Sequence, residues 1–197
     1  MLAPAFADPV RASQAVFRCV MDAMARPGAI VAAGGVARAP QPLGLAAAAV
    51  ALTLIDYETP AWLDPALKRS PEVAAWLRFY TGAPLTDDPH QAAFAFIADP
   101  PRMPPFEAFC QGSMEYPDRA ATLVLQVERL SDNAGFCLSG PGIRGSRALS
   151  AAPLPADFAA RMRANHALFP RGLDIILASG TMVTALPRSV HVATEQS

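Results

Sequence analysis

Between Asp8 and Gly28 the apolar residues Val10, Phe17, Val20, Met21 and Met24 recur at helical spacing, while Arg11, Gln14 and Arg18 fall on another stripe. That pattern predicts an amphipathic helix with its apolar face turned to a core. Asp8-Pro9 suits its start, because the carboxylate can accept from unpaired amides and proline fits the first helical position. Arg26-Pro27-Gly28 marks its stop. After Pro40 and Pro42, residues 43–55 are apolar almost throughout. Their thirteen residues fall short of the roughly 20 that a bilayer crossing needs, so they predict a buried helix. It gives way to Asp56-Tyr57-Glu58-Thr59-Pro60 and Ala61-Trp62-Leu63; Ser70-Pro71-Glu72 then opens another helix, which ends near Thr81-Gly82.

The second half changes period. Short β-rich runs occur at 93–97, 121–127, 136–139, 173–178 and 182–186. Asp132-Asn133-Ala134-Gly135 and Ser179-Gly180 are turn formers and predict two hairpins, which makes the sheet mixed, with a helix over 156–164 between them. Pro100-Pro101 and Pro104-Pro105 predict a rigid surface connector rather than a domain linker. The whole, residues 1–197, reads as one α/β domain.

Composition narrows the function classes. With 52% apolar residues the chain can bury a substantial core. A net charge of -1 supplies no basic field, so neither nucleic acid nor an anionic membrane is an expected partner. Cys19, Cys110 and Cys137 are odd in number and widely spaced, which fits a reducing cytoplasm better than a disulfide framework or a metal site. The first ten residues lack the basic segment of a secretory signal.

Candidate chemistry is sparse. Gly140-Pro141-Gly142-Ile143-Arg144-Gly145 matches GxGxxG after a predicted strand, but too few residues follow before Pro153 for the helix that dinucleotide binding needs. A nucleotide-binding oxidoreductase is therefore disfavoured, although glycine backbone could still approach a phosphate there. His90, His166 and His191 are far apart in the chain and make no ligand pair. Asp56 and Glu58 flank Tyr57 and form a possible carboxylate pair, with a turn-forming role for Asp56 as the alternative. Schiff-base chemistry would fall to Lys68, the single lysine, in a polar segment ill suited to desolvate it. The fifteen arginines are better suited to anions, since a guanidinium meets phosphate or phosphonate oxygens in bidentate fashion.

Several segments, in order and spacing, resemble the family of H subunits of the bacterial carbon-phosphorus lyase system (PhnH). They are FADPVRASQAVFRCVMDAMARPG (6–28), LTLIDYETPAWL (52–63), LRFYTGAPL (77–85), GSMEYPDRAATLVLQ (112–126), LSGPGI (138–143), FPRGLDIIL (169–177) and LPRS (186–189). The family's glycine element is LxGPGI, which makes Gly145 incidental. The resemblance implies a three-layer α/β/α fold similar to pyridoxal-phosphate-dependent transferases, without the cofactor. It implies a place in a core complex with the G, I and J subunits, and a homodimer in isolation. The implied activity, shared with the I, G and L proteins, is displacement of adenine from ATP by an alkylphosphonate, which gives a ribose 1-alkylphosphonate 5-triphosphate. Tyr80 stands where the family's RFHTGAP-like segment has histidine, and tyrosine is a poor base near neutral pH. Residues on the motifs suited to ATP, alkylphosphonate or a partner surface are Arg18, Arg26, Asp56, Arg78, Arg119, Gly140, Gly142, Arg171, Asp174 and Arg188. They admit two readings: an assembly subunit, or one that itself contributes anion-binding residues.

Overall fold

In the computed structural model, which describes residues 5–6 and 8–194, the apolar runs at 93–97, 121–127, 173–178 and 182–186 join three short strands from earlier in the chain in one large sheet. Its strands are β1 (Val31–Ala32), β2 (Ala61–Leu63), β3 (Leu85–Thr86), β4 (Phe94–Ile97), β5 (Thr122–Gln126), β8 (Asp174–Ser179) and β9 (Met182–Leu186). The strand order is β1-β9-β8-β5-β4-β2-β3. The five strands β3, β2, β4, β5 and β8 are parallel, and β9 runs against both β8 and β1, so the sheet is mixed as expected. The strands β6 (Arg129–Ser139), β7 (Arg147–Ala152) and β10 (His191–Thr194) make a separate antiparallel sheet in the order β10-β6-β7.

Register divides the core in two. Phe96, Val124 and Ile176 lie in one row across β4, β5 and β8, and Ala95, Leu123 and Ile175 lie in the next. Neighbouring strand residues point to opposite faces, and all six are buried, so both faces of the sheet are covered. On one side lie α1 (Pro9–Ala25), α2 (Leu45–Leu54), α3 (Pro65–Lys68) and α4 (Pro71–Thr81), which pack with the first row. The helix expected over 43–55 is α2; residues 46–51 are all buried, five of them alanines whose small side chains let neighbouring backbones approach closely. On the other side lie α5 (Phe158–Ala167), the 3-10 turns Pro100–Arg102 and Phe106–Ala108, and the small sheet through Leu138, Leu149 and Val192. The third layer is thus one helix and a second sheet, where a plain helical layer was expected.

Four local expectations need correction. The hairpin placed at 132–135 is not there: β6 is continuous, Ser131 opposes Ser150 and the next pair is Phe136 with Leu149, so these residues bulge out of one strand. A bulge accepts turn-prone residues as readily as a hairpin tip does. The chain instead turns at 140–146, whereas the Ser179-Gly180 turn joins β8 to β9 as expected. The helix expected over 156–164 lies a little later, at Phe158–Ala167. The proline-rich connector is no mere surface strut, because Pro100, Met103, Phe106 and Phe109 are buried. Finally, α1 is helical as predicted but turned differently: Val16, Val20 and Ala23 face the core, while Val10, Phe17 and Met21 are 80%, 48% and 51% exposed. The helix carries two apolar stripes, and periodicity by itself does not say which one a core will cover.

Candidate functional site

The parallel strands begin at one end of the large sheet, and most of the sequence-derived candidates gather there. Asp174 opens β8, and Arg188 follows β9 at the same end. Arg188 donates from Nη2 to Asp174 Oδ2 at 2.6 Å and from Nε to Oδ1 at 3.2 Å, while its backbone amide reaches Oδ1 at 2.9 Å. Its Nη1 donates to Pro117 O at 2.6 Å and Pro170 O at 3.4 Å. One guanidinium therefore ties together three of the motif segments, those around 117, 170–174 and 188, and its donors are directed at protein groups. Arg119 stands beside this clip with its guanidinium 4.1 Å from the Tyr116 ring. Arg171 lies between Pro170 and the buried Gly172, and its Nε is buried with no hydrogen-bond partner.

The glycines of the LSGPGI segment bring α1 into the same neighbourhood. A Cβ on Gly140 would come within 3.1 Å of Ser189 O, and one on Gly142 within 2.1 Å of Ala25 O at the end of α1. Arg147 on β7 donates to Arg26 O at 3.2 Å and Pro27 O at 3.0 Å. Arg26 itself pairs with Asp22 one turn earlier. Gly145 has open space around it and is followed by β7 rather than a helix, which removes the dinucleotide reading of GxGxxG.

Asp56, Arg78 and Arg18 lie apart from this group. Asp56 Oδ1 accepts from Thr59 Oγ1 at 2.7 Å and the Glu58 amide at 3.0 Å, bonds that hold its carboxyl below the usual range. A carboxyl kept ionised in a turn is poorly placed to donate a proton near neutral pH, so the turn-forming role prevails. Arg78 lines a 250 Å³ hollow with Lys68 and Asp87. Lys68 Nζ donates to Asp87 at 2.8 Å and lies 5.6 Å from the Trp62 ring centroid, so the amine is already engaged. Tyr80 sits in an aromatic stack, 5.0 Å from Trp76 and 4.9 Å from Phe79 between ring centroids. Asp56 precedes β2, three strand spacings or about 14 Å from β8, and Tyr80 precedes β3 one spacing further out, while the Arg78 hollow is walled by Lys68 and Asp87, which follow β2 and β3; none of them shares a pocket with the Arg188 group. Arg18 lies on the outer face of α1 with Phe17, Met21 and Asp22.

Two constellations escaped the sequence reading. At the opposite end of the sheet, Asp64, Arg69, Asp99 and Arg102 line a 180 Å³ cleft beyond the carboxyl ends of β2 and β4. Crossovers leave this pair toward opposite faces, the place where open α/β sheets admit ligands. Asp64 is buried and accepts from the amides of Leu67, Ala98 and Asp99 at 2.8, 2.9 and 2.9 Å, so its role is to brace that cleft. In the sequence Asp64-Pro65 carries only the signal of a helix start, which does not point to a cleft. The second constellation joins two histidines that are far apart in the chain: the His166 and His191 rings meet edge to face at 5.3 Å, because α5 packs against β10. No spacing rule in the sequence joins residues on a helix and a distant strand. Among the described residues, no group of three or more His, Cys, Asp or Glu side chains could hold a metal ion. Nor is any described helix long and apolar enough to cross a membrane.

Comparison with known proteins assigns these motifs. The model of the family described as "Bacterial phosphonate metabolism protein (PhnH)" matches residues 4–193. The chain is 44% identical over 191 residues to the alpha-D-ribose 1-methylphosphonate 5-triphosphate synthase subunit PhnH of Rhizobium meliloti (strain 1021), which covers 97% of this chain and 95% of that protein. It is also 36% identical over 81 residues to HtxG of Stutzerimonas stutzeri, whose name places it with the C-P lyase subunits, over 41% of this chain and 42% of that protein. A full-length match that runs through every one of the converging segments settles the family: the chain belongs to the bacterial phosphonate metabolism proteins of the PhnH family.

Proposed function

We propose that the chain is a subunit of an alpha-D-ribose 1-methylphosphonate 5-triphosphate synthase and serves the catabolism of organic phosphonates in the cytoplasm. In that role it supports the displacement of adenine from ATP by an alkylphosphonate, together with I, G and L subunits, from a core complex with G, I and J. Its scaffold is that of a pyridoxal-phosphate-dependent transferase put to use without the cofactor. The observation that carries an assembly role is the second apolar stripe of α1, where Val10, Phe17 and Met21 lie exposed on a helix that already buries its other stripe. A helix with two apolar faces has one to spare for a partner, and Arg18 and Asp22 beside it supply both signs of charge for register. In isolation the same face pairs with a second copy, since a two-fold axis across an antiparallel helix pair sets Arg18 against the Asp22 of the other chain.

A second reading, in which the chain itself holds phosphate or phosphonate, is favoured by Arg171, whose unpartnered Nε lies within the motif cluster. Co-expression with the G, I and J subunits, followed by purification on a tag carried by this chain, tests the proposal. The parent chain should retain the partners, and the double variant Phe17→Glu, Met21→Glu should lose them while keeping its circular dichroism spectrum. No partner retained by the parent chain would sink the subunit reading. Normal assembly but lost phosphonate growth in Arg171→Ala would favour the second one.

A further inference from the structure

An edge strand presents a row of unpaired backbone groups on which another chain can pair, and the edges of the two sheets are not alike. Three of them are blunted. In the large sheet β1 and β3 have two residues each, too few to serve as a template. In the small sheet β10 has four, and α5 packs against it. The remaining edge, β7, runs for six residues. Among the described residues, no turn, loop or further strand bonds to the backbone of 148–151 on the side away from β6.

The strand also lacks the devices by which natural edges avoid contact. Ala148-Leu149-Ser150-Ala151-Ala152 contains no charge and no proline, and the bulge of this sheet lies in β6 at 132–135, not in β7. Its inner side is firmly held, with Leu149 buried opposite Phe136. Arg147, the one charged residue of the strand, is engaged by Arg26 O and Pro27 O. That contact lies over the face of the sheet, because a Cβ on Gly28 would meet the Leu138 and Arg147 side chains together, and it leaves the edge open. The two ends of the edge differ in charge. Arg144, exposed in the turn before β7, makes no hydrogen bond or ion pair among the described residues. Glu128, whose amide bonds to Ala152 O, stands exposed at the far end.

We infer that the outer edge of β7 is the docking site of a β-strand from a partner subunit, which adds to the β10-β6-β7 sheet as a fourth strand through main-chain hydrogen bonds. The inference rests on the subunit reading and gives it a second contact besides the outer stripe of α1. The strand that fits is extended and uncharged over the length of 148–152, and carries a carboxylate at the end beside Arg144. A second copy fits less well. With the α1 pair it would give the chain two two-fold contacts, which close only where their axes meet and otherwise string copies into an open array; a partner's strand ends the growth.

The test is amide hydrogen exchange, read by mass spectrometry, on the isolated chain and on the complex co-expressed with the G, I and J subunits. The outward amides of 148–152 should exchange freely in the isolated chain and become protected in the complex. Ala148 and Ser150 alternate with buried Leu149 and so point away from the core. Ala148→Lys with Ser150→Lys should lose a partner that the parent chain retains, with an unchanged circular dichroism spectrum, whereas Ala148→Thr with Ser150→Thr should keep it. Every partner retained by the lysine variant, or free exchange of 148–152 within the complex, would overturn the inference and leave the subunit reading standing. Protection already present in the isolated chain would make a second copy the occupant and overturn it as well. No partner retained by the parent chain would sink both.

Discussion

Replacing Arg188 by alanine removes more bonds at one stroke than any other single change in the motif cluster. The guanidinium makes four hydrogen bonds, two to Asp174 and one each to Pro117 O and Pro170 O. The side chains of Arg188 and Asp174 are only 14% and 23% exposed, so water replaces these bonds poorly. Removing one partner of a fully buried pair costs about 3–5 kcal/mol, and the residual exposure puts this one near the lower bound, at about 3 kcal/mol. For a chain of this length that corresponds to a fall in Tm of about 6–12 °C. Arg188→Lys should recover only part of the loss, because a single ammonium cannot span the carboxylate and two carbonyls together. Urea denaturation followed by circular dichroism measures the difference, with the change read at constant m-value. A loss below about 1 kcal/mol would show the clip to be worth no more than a surface ion pair. Unchanged stability with abolished phosphonate growth would transfer Arg188 from the scaffold to ligand binding.

Two further predictions address the glycine segment and the acid limb. Gly142→Ala should destabilise at least twice as much as Gly145→Ala: both sit at positive φ, +80° and +76°, which costs about 1–2 kcal/mol, but only the Gly142 Cβ would strike backbone, at Ala25 O. Equal thermal shifts for the two would refute the close packing of the 138–143 segment on α1. Asp87 is held below the usual carboxylate range by its hydrogen bond from Lys68 and by that ammonium's charge. Because its folded value is lowered, its contribution is full above the unfolded carboxylate range and is lost as pH falls through the folded value. Lys68→Met should therefore flatten the acid limb of the urea midpoint against pH, slightly, since Asp87 is exposed; a steeper limb in the variant would contradict the pairing.

Much of the secondary structure was legible because it rests on local rules. Asp8-Pro9 and the Pro27-Gly28 stop bracket α1, the unbroken apolar run of 43–55 marks α2, and Ser179-Gly180 marks the β8–β9 hairpin. Arg188, Asp174 and Arg119 were likewise visible as motif residues, and family membership follows from the order of segments along the chain. Their roles were not visible. A sequence gives the chemistry of a guanidinium but not whether its five donors are already taken, and in Arg188 they are directed inward at Asp174 and two carbonyls.

What the sequence determined by itself was therefore local: which residues can form helix, strand or turn, and that the chain has one lysine and many arginines. Which stripe of α1 meets the core, whether 132–135 turn or bulge, and that His166 meets His191 were decided by the tertiary structure. The physical reason is the same in each case. A periodic pattern fixes what shares a face, but burial and pairing depend on which distant surface arrives there, and that is set by the packing of the whole sheet.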